Sequence, residues 1–144
     1  MTTIVAAIDN SPTARSVVAR AIEQARYTGS ALHVLHVFHP PTAIYTMAGT
    51  FVFDEEDLAG AERDAVWANV APDLDAADLD WKRVDLRGYP PSAIADYATE
   101  VDAALVVIGT RGRGGLSSLV LGSTSQGLIH DAACDVLVVK SSHS

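Results

Sequence analysis

The sequence predicts a doubly wound α/β fold: a five-stranded parallel sheet in the flavodoxin-like order 3-2-1-4-5, with helices on both faces. Short, nearly unbroken apolar runs alternate with stretches of helical periodicity along the whole chain. Unbroken apolar strands linked by helical crossovers belong in a parallel sheet covered on both sides. The two least ordinary loops follow the first and fourth runs. In this strand order those runs are neighbours, and a crevice opens at their carboxyl ends.

Thr3–Ile8 (TIVAAI) reads as a buried strand. Asp9-Asn10-Ser11-Pro12 then reads as a helix start, with Ser11 as cap and Pro12 at the first helical position. Val18, Ile22 and Ala25 repeat at helical spacing, and Gly29 ends that helix. Ala31–Phe38 (ALHVLHVF) is a second strand, stopped by Pro40-Pro41. A loop over residues 42–53 follows. Asp54-Glu55-Glu56-Asp57 then places negative charge on a helix N-terminus, where the dipole favours it. Leu58, Ala61, Ala65 and Ala68 carry this helix until Pro72 interrupts it, and Asp73–Asp80 reads as an acidic connector. Trp81–Leu86 is a third, more polar strand. Gly88-Tyr89-Pro90-Pro91 turns the chain into a helix marked by Ile94, Tyr97, Ala98 and Val101. Ala104–Ile108 is a fourth strand, a helix runs from about Ser123 to Ala133, and Val136–Val139 is the fifth strand.

A chain of 144 residues fits one domain, residues 1–144, with a sizeable core. No apolar stretch approaches the ~20 residues of a membrane span. Met1-Thr2-Thr3-Ile4 runs straight into the first strand without a basic n-region, which predicts no signal peptide. Cys134 is the only cysteine, so no internal disulfide forms, and no Cys/His metal spacing surrounds it. These readings predict a cytoplasmic protein without a membrane partner. The net charge of −8 disfavours nucleic acid, whose phosphates select basic faces. Lys82 and Lys140 are the only lysines. This Asp-rich, Lys-poor composition is similar to that of proteins of salt-loving organisms, although an acidic surface also keeps an ordinary protein soluble.

The chemistry concentrates between Gly109 and Ser125, GTRGRGGLSSLVLGSTS. Glycines let backbone N–H groups approach an anion, and a helix starting near Ser123 aims its free N–H groups and positive dipole end at the same place. Ser123, Thr124 and Ser125 add hydroxyls; Arg111 and Arg113 add positive charge. Against this, Ser123-x-x-Gln126 is also a capping box, and glycines also mark tight turns. The position after a core strand, at the expected switch point, favours a phosphate cradle. No Gly-Lys-Ser/Thr is present, which excludes a P-loop, and the first strand lacks the G-x-G-x-x-G of dinucleotide binders.

At these residues the chain resembles the universal stress protein family. Gly109–Gly112, then nine residues, then Gly122-Ser123 is similar to the family's ATP-binding motif, and Val136-Leu137-Val138-Val139 to its closing strand. Ile8-Asp9-Asn10-Ser11 resembles its V-D-G-S, Leu35-His36-Val37 its second-strand ending, and Gly88-Tyr89-Pro90 the turn after its third. The resemblance implies bound ATP with Mg²⁺ bridging the phosphates. It places Asp9 at the ribose or adenine edge and the Val37 backbone at the adenine. Gly109 and Gly112 would line ribose and phosphates, with Arg111 beside them. Gly122, Ser123 and Thr124 would hold the phosphates. It also implies a homodimer through the last strand and a regulatory, stress-response role. Asp135, where proline is usual, and Asn10, where glycine is usual, depart from the pattern.

The remaining candidates have ordinary readings. His33, His36 and His39 lie three apart, so on a strand neighbours face opposite ways and form no metal site. His36 reads as a hydrogen-bonded core histidine, Cys134 as a packing residue, and Trp67 and Trp81 as core or rim residues. No catalytic lysine, histidine or second carboxylate is placed by motif near the phosphates, which predicts slow ATP hydrolysis or none. A slow Mg-dependent ATP hydrolase is the alternative function. A phospho-receiver lacks its acidic pair after the first strand; a flavin electron carrier would be coloured.

Overall fold

Successive side chains of β1 (Thr3–Ile8) point to opposite faces of the sheet, and both faces are covered. Ile4, Ala6 and Ile8 pack under α1 (Ala14–Thr28) and α2 (Glu55–Ala76), against Val17, Val18, Val66, Val70 and Leu74. Val5 and Ala7 pack on the other side with Ile94, Ala95 and Ala98 of α3 (Pro90–Glu100) and Leu128 of α4 (Ser123–Asp131). This double cover is why the strand carries no polar alternation. The remaining long strands are β2 (Ala31–Phe38), β5 (Trp81–Arg87), β6 (Leu105–Gly109) and β7 (Asp135–Val139). All pair in parallel, in the order β5-β2-β1-β6-β7, which is the expected 3-2-1-4-5 of the long strands. The computed structural model describes residues 1–40, 45–46, 49–50, 55–110 and 122–140. No helix among the described residues is long and apolar enough to cross a membrane.

Four local readings need correction. The segment 42–53 is not all loop: β3 (Tyr45–Thr46) and β4 (Gly49–Thr50) pair antiparallel. The first helix begins at Ala14, with Thr13 rather than Ser11 as its N-cap and no side-chain cap. Ser11 instead closes a turn, its carbonyl accepting the Ala14 N–H at 3.2 Å, and its side chain is buried. Pro72 lies inside α2, which runs on to Ala76. An interior proline removes one backbone bond and costs about 3 kcal/mol. Here the flanking Val70 and Leu74 are both buried in the core, and each such burial contributes ~1.5–3 kcal/mol, so packing outweighs the breaker. The supposed connector thus begins as helix, and its Asp73 pairs with Arg15 on α1 at 3.0 and 3.2 Å. Finally, Ser123 does not cap α4; Gly122 occupies that position and makes no side-chain cap.

The polar third strand has a positional reason. β5 is an edge, and its α2-facing row of Trp81, Arg83, Asp85 and Arg87 borders solvent. Arg83 lies 4.6 Å over the Trp67 ring and bonds Asp85 at 2.8 Å, while Trp67 and Trp81 stack. On the other side of the sheet, α3 and α4 meet where Gly127 faces Pro91. A Cβ at Gly127 would lie 2.8 Å from Pro91 Cβ, so only glycine permits this approach.

Candidate functional site

The carboxyl ends of β1 and β6 lie side by side, and a cavity of about 380 Å³ opens there. That volume falls within the usual range of small-molecule sites. Asp9 follows β1 directly. Val37 contributes from β2, Gly109 from the end of β6, and Gly122, Ser123 and Thr124 from the start of α4. Six of the expected site residues therefore share one wall system. Arg111 and Gly112 lie outside the described residues. Thr13, Pro90, Ile94 and Ser125 also line the cavity, and no motif had singled out the first three for it.

Two glycines of the loop acquire distinct roles. Gly109 has no room for a side chain: a Cβ there would lie 2.8 Å from Thr13 Cγ2 and 3.4 Å from Val17 Cγ2. It lets the end of β6 approach α1, and its carbonyl accepts the buried Ser125 hydroxyl. The Gly122 N–H is already bonded to the Thr110 carbonyl, so Gly122 is not itself a free donor. The donors of the first helical turn are the backbone N–H groups of Ser123, Thr124 and Ser125, which have no partner within α4 itself. The helix dipole adds its partial positive charge at the same place, the arrangement an anion would meet.

Asp9 supplies the opposite chemistry. Asp9 is exposed at the cleft, yet the protein atoms around its carboxyl displace water and raise its pKa above the ordinary 3.8, while Ser11 and His36 pull it down. Ser11 comes near enough to the carboxylate to act on it. Its Oγ nevertheless finds no hydrogen-bonding geometry among the described residues and is left buried without a partner. An orphaned hydroxyl on a cavity wall is the kind of group a ligand satisfies. Because the folded-state pKa of Asp9 stands above its unfolded value, ionised Asp9 costs stability at neutral pH. That cost disappears as pH falls through the raised pKa. Asp9→Asn should therefore raise the ligand-free melting temperature at about pH 7.5. A lowered melting temperature would make Asp9 a structural residue instead.

The other candidates behave as ordinary groups. His33 and His36 face opposite sides, His33 Nδ1 to the Tyr97 hydroxyl at 2.8 Å and His36 Nε2 to Glu62 at 2.8 Å. His39 Nδ1–H donates to the Gly88 carbonyl at 3.2 Å. Burial and Asp135 push the Cys134 thiol pKa up, away from reactivity. Among the described residues no cluster of three His, Cys, Asp or Glu could hold a metal ion.

Comparison with known proteins fits this geometry. The sequence profile described as the universal stress protein family matches residues 1–140. The chain belongs to that family. A universal stress protein from Thermus aquaticus is 34% identical over 141 residues, covering 96% of this chain and 98% of that one. A universal stress protein from Mycobacterium tuberculosis is 30% identical over 141 residues, and there the chain spans 45% of the relative's length. A solved universal stress protein from Archaeoglobus fulgidus is 27% identical with TM-score 0.73, over 97% of this chain and 94% of that one. A structure from the same organism is a universal stress protein in complex with dAMP; it is 26% identical with TM-score 0.68, over 97% and 98% of the two chains.

Proposed function

We propose that this universal stress protein family member binds ATP in the cleft and serves as a nucleotide-dependent regulatory module of a stress response. One observation carries the reading. The strand order β2-β1-β6 places Val37, then Asp9, then Gly109 with the α4 N-terminus, side by side along the cleft. Neighbouring strands stand about 4.8 Å apart, so the row steps from an apolar position through a hydrogen-bond acceptor to an anion corner. A nucleotide has the same order: base, sugar hydroxyls, phosphates. Val37, Ile94 and Pro90 supply apolar surface for the base, and the Val37 backbone its edge contacts. Asp9 and the orphaned Ser11 hydroxyl suit the sugar. Ser123, Thr124 and Ser125 suit the phosphates, with Gly112 and Arg111 assigned beside them by family likeness. The dAMP complex of the Archaeoglobus relative supports an adenine nucleotide. Mg²⁺ would ride on the phosphate oxygens.

The expected result is a calorimetric titration in which Mg-ATP binds and GTP binds more weakly. Native mass spectrometry of the purified protein should find bound adenine nucleotide on a homodimer. The dimer part of the proposal rests on β7, an apolar edge strand, which is a liability unless paired. No heat and no thermal shift with either nucleotide would overturn the binding reading, and a monomer mass at micromolar concentration the dimer.

A further inference from the structure

One hydroxyl on the cleft wall makes no hydrogen bond in the fold. Ser11 is 6% exposed, and its Oγ is buried without a hydrogen-bond partner among the described residues. It does not cap α1, since Thr13 holds that position. A buried hydroxyl left unpaired costs free energy, so such groups are rare in native proteins and call for an explanation. Ser11 lines the cleft together with Asp9, two residues earlier at the end of β1.

The loop that carries Ser11 is pinned. The Ser11 carbonyl accepts the Ala14 N–H at 3.2 Å, and the Thr13 carbonyl accepts the Val17 N–H at 3.0 Å. Pro12 between them has its φ fixed by its own ring. Thr13 packs so closely on Gly109 of β6 that a Cβ there would lie 2.8 Å from its Cγ2. What remains free is the single χ1 torsion of Ser11, with three staggered settings. Turning about that bond moves the hydroxyl without moving the loop.

The pairing with Asp9 selects among ligand groups. An ionised carboxylate only accepts hydrogen bonds, whereas a serine hydroxyl also donates one. A ligand N–H satisfies Asp9 but leaves the Ser11 hydrogen unpaired. A phosphate or carbonyl oxygen takes the Ser11 hydrogen but faces the Asp9 charge. A hydroxyl meets both demands: it gives its hydrogen to Asp9 and takes the Ser11 hydrogen on its oxygen.

We propose that Ser11 is a specificity-determining residue of the cleft, which with Asp9 selects ligands carrying a sugar hydroxyl. The inference rests on the nucleotide reading above, in which the end of β1 meets the sugar, between the base at β2 and the phosphates at α4. A nucleotide that carries the hydroxyl removes the cost of the unpaired Ser11 on binding. One that lacks it leaves that cost in place, and sites built in this way reject such analogues.

Calorimetric titration with Mg-ATP and with its 2′-deoxy and 3′-deoxy analogues tests this. One of the two analogues should bind wild type at least ~10-fold more weakly than ATP, which names the hydroxyl. Equal affinities overturn the proposal. In Ser11→Ala, ATP should bind about fivefold more weakly, and the gap between ATP and that analogue should shrink to within about threefold. A gap that persists assigns the selection to another group and overturns the proposal too. The ligand-free melting temperature of Ser11→Ala should rise or stay within about 4 °C of wild type, because no partner is lost. A larger fall marks a hydroxyl that the fold itself needs, and overturns the proposal without any ligand. If ATP and both analogues fail to bind, the nucleotide reading falls and the sugar assignment with it. ATP binding without discrimination removes the sugar assignment alone.

Discussion

Gly122→Val should weaken Mg-ATP binding at least ~100-fold, about 2.7 kcal/mol, while leaving the ligand-free melting point nearly unchanged. The two halves of this expectation have separate causes. Gly122 has φ −64° and ψ 159°, an extended conformation that a β-branched residue adopts readily, so the backbone gives no reason for strain. It caps α4 at the edge of the cleft, next to the donors of Ser123 and Thr124. Gly122 lines the cavity, so an isopropyl group there is expected to hinder a phosphate held on that wall. Binding measured by calorimetry and stability by thermal unfolding separate the outcomes. Unimpaired affinity would sink the phosphate assignment, and a collapsed melting point would make Gly122 a folding residue. Ser123→Ala is the milder companion. It deletes a hydroxyl but not a backbone donor, and should cost roughly 1 kcal/mol in affinity.

Gly109→Ala should act on the fold rather than on the ligand. The new methyl would sit 2.8 Å from Thr13 Cγ2, and Thr13 is buried beside Val17. Overpacking of this kind costs about 1–3 kcal/mol. Thr13→Ser removes the colliding methyl while keeping the hydroxyl, so the double variant should recover at least ~1 kcal/mol of the loss. Denaturant unfolding of the four species of the cycle tests this. Additive effects would mean that the contact between β6 and α1 is not what the glycine serves.

These two glycines look alike in sequence, and that likeness marks the boundary of what sequence reading reaches. The central strands were legible because their residues are apolar on both faces, a pattern that only a doubly covered parallel sheet needs. Asp9, Val37, Gly109, Gly122, Ser123 and Thr124 reach one cavity because chain order and strand order suffice to bring strand ends together. Thr13, Pro90 and Ile94 enter it through the seating of α1 and α3 on the sheet, which periodicity does not specify. Pro72 reads locally as a stop, yet the buried residues on either side hold the helix through it. Ser11 reads locally as a cap, whereas its hydroxyl is enclosed at the cleft. In both cases tertiary packing overrode a sound local signal.

The contact between Gly127 and Pro91 bears on how the cleft can discriminate. Pro91 occupies the space a side chain at position 127 would fill, and the two helices it joins carry different parts of the cavity wall. The helix that starts at Ser123 is thereby keyed to the helix that begins at Pro90. Neither can slide along the other without driving the proline ring into backbone. That contact therefore sets the spacing between the two helices, and with it the spacing of the parts of the cavity wall they carry.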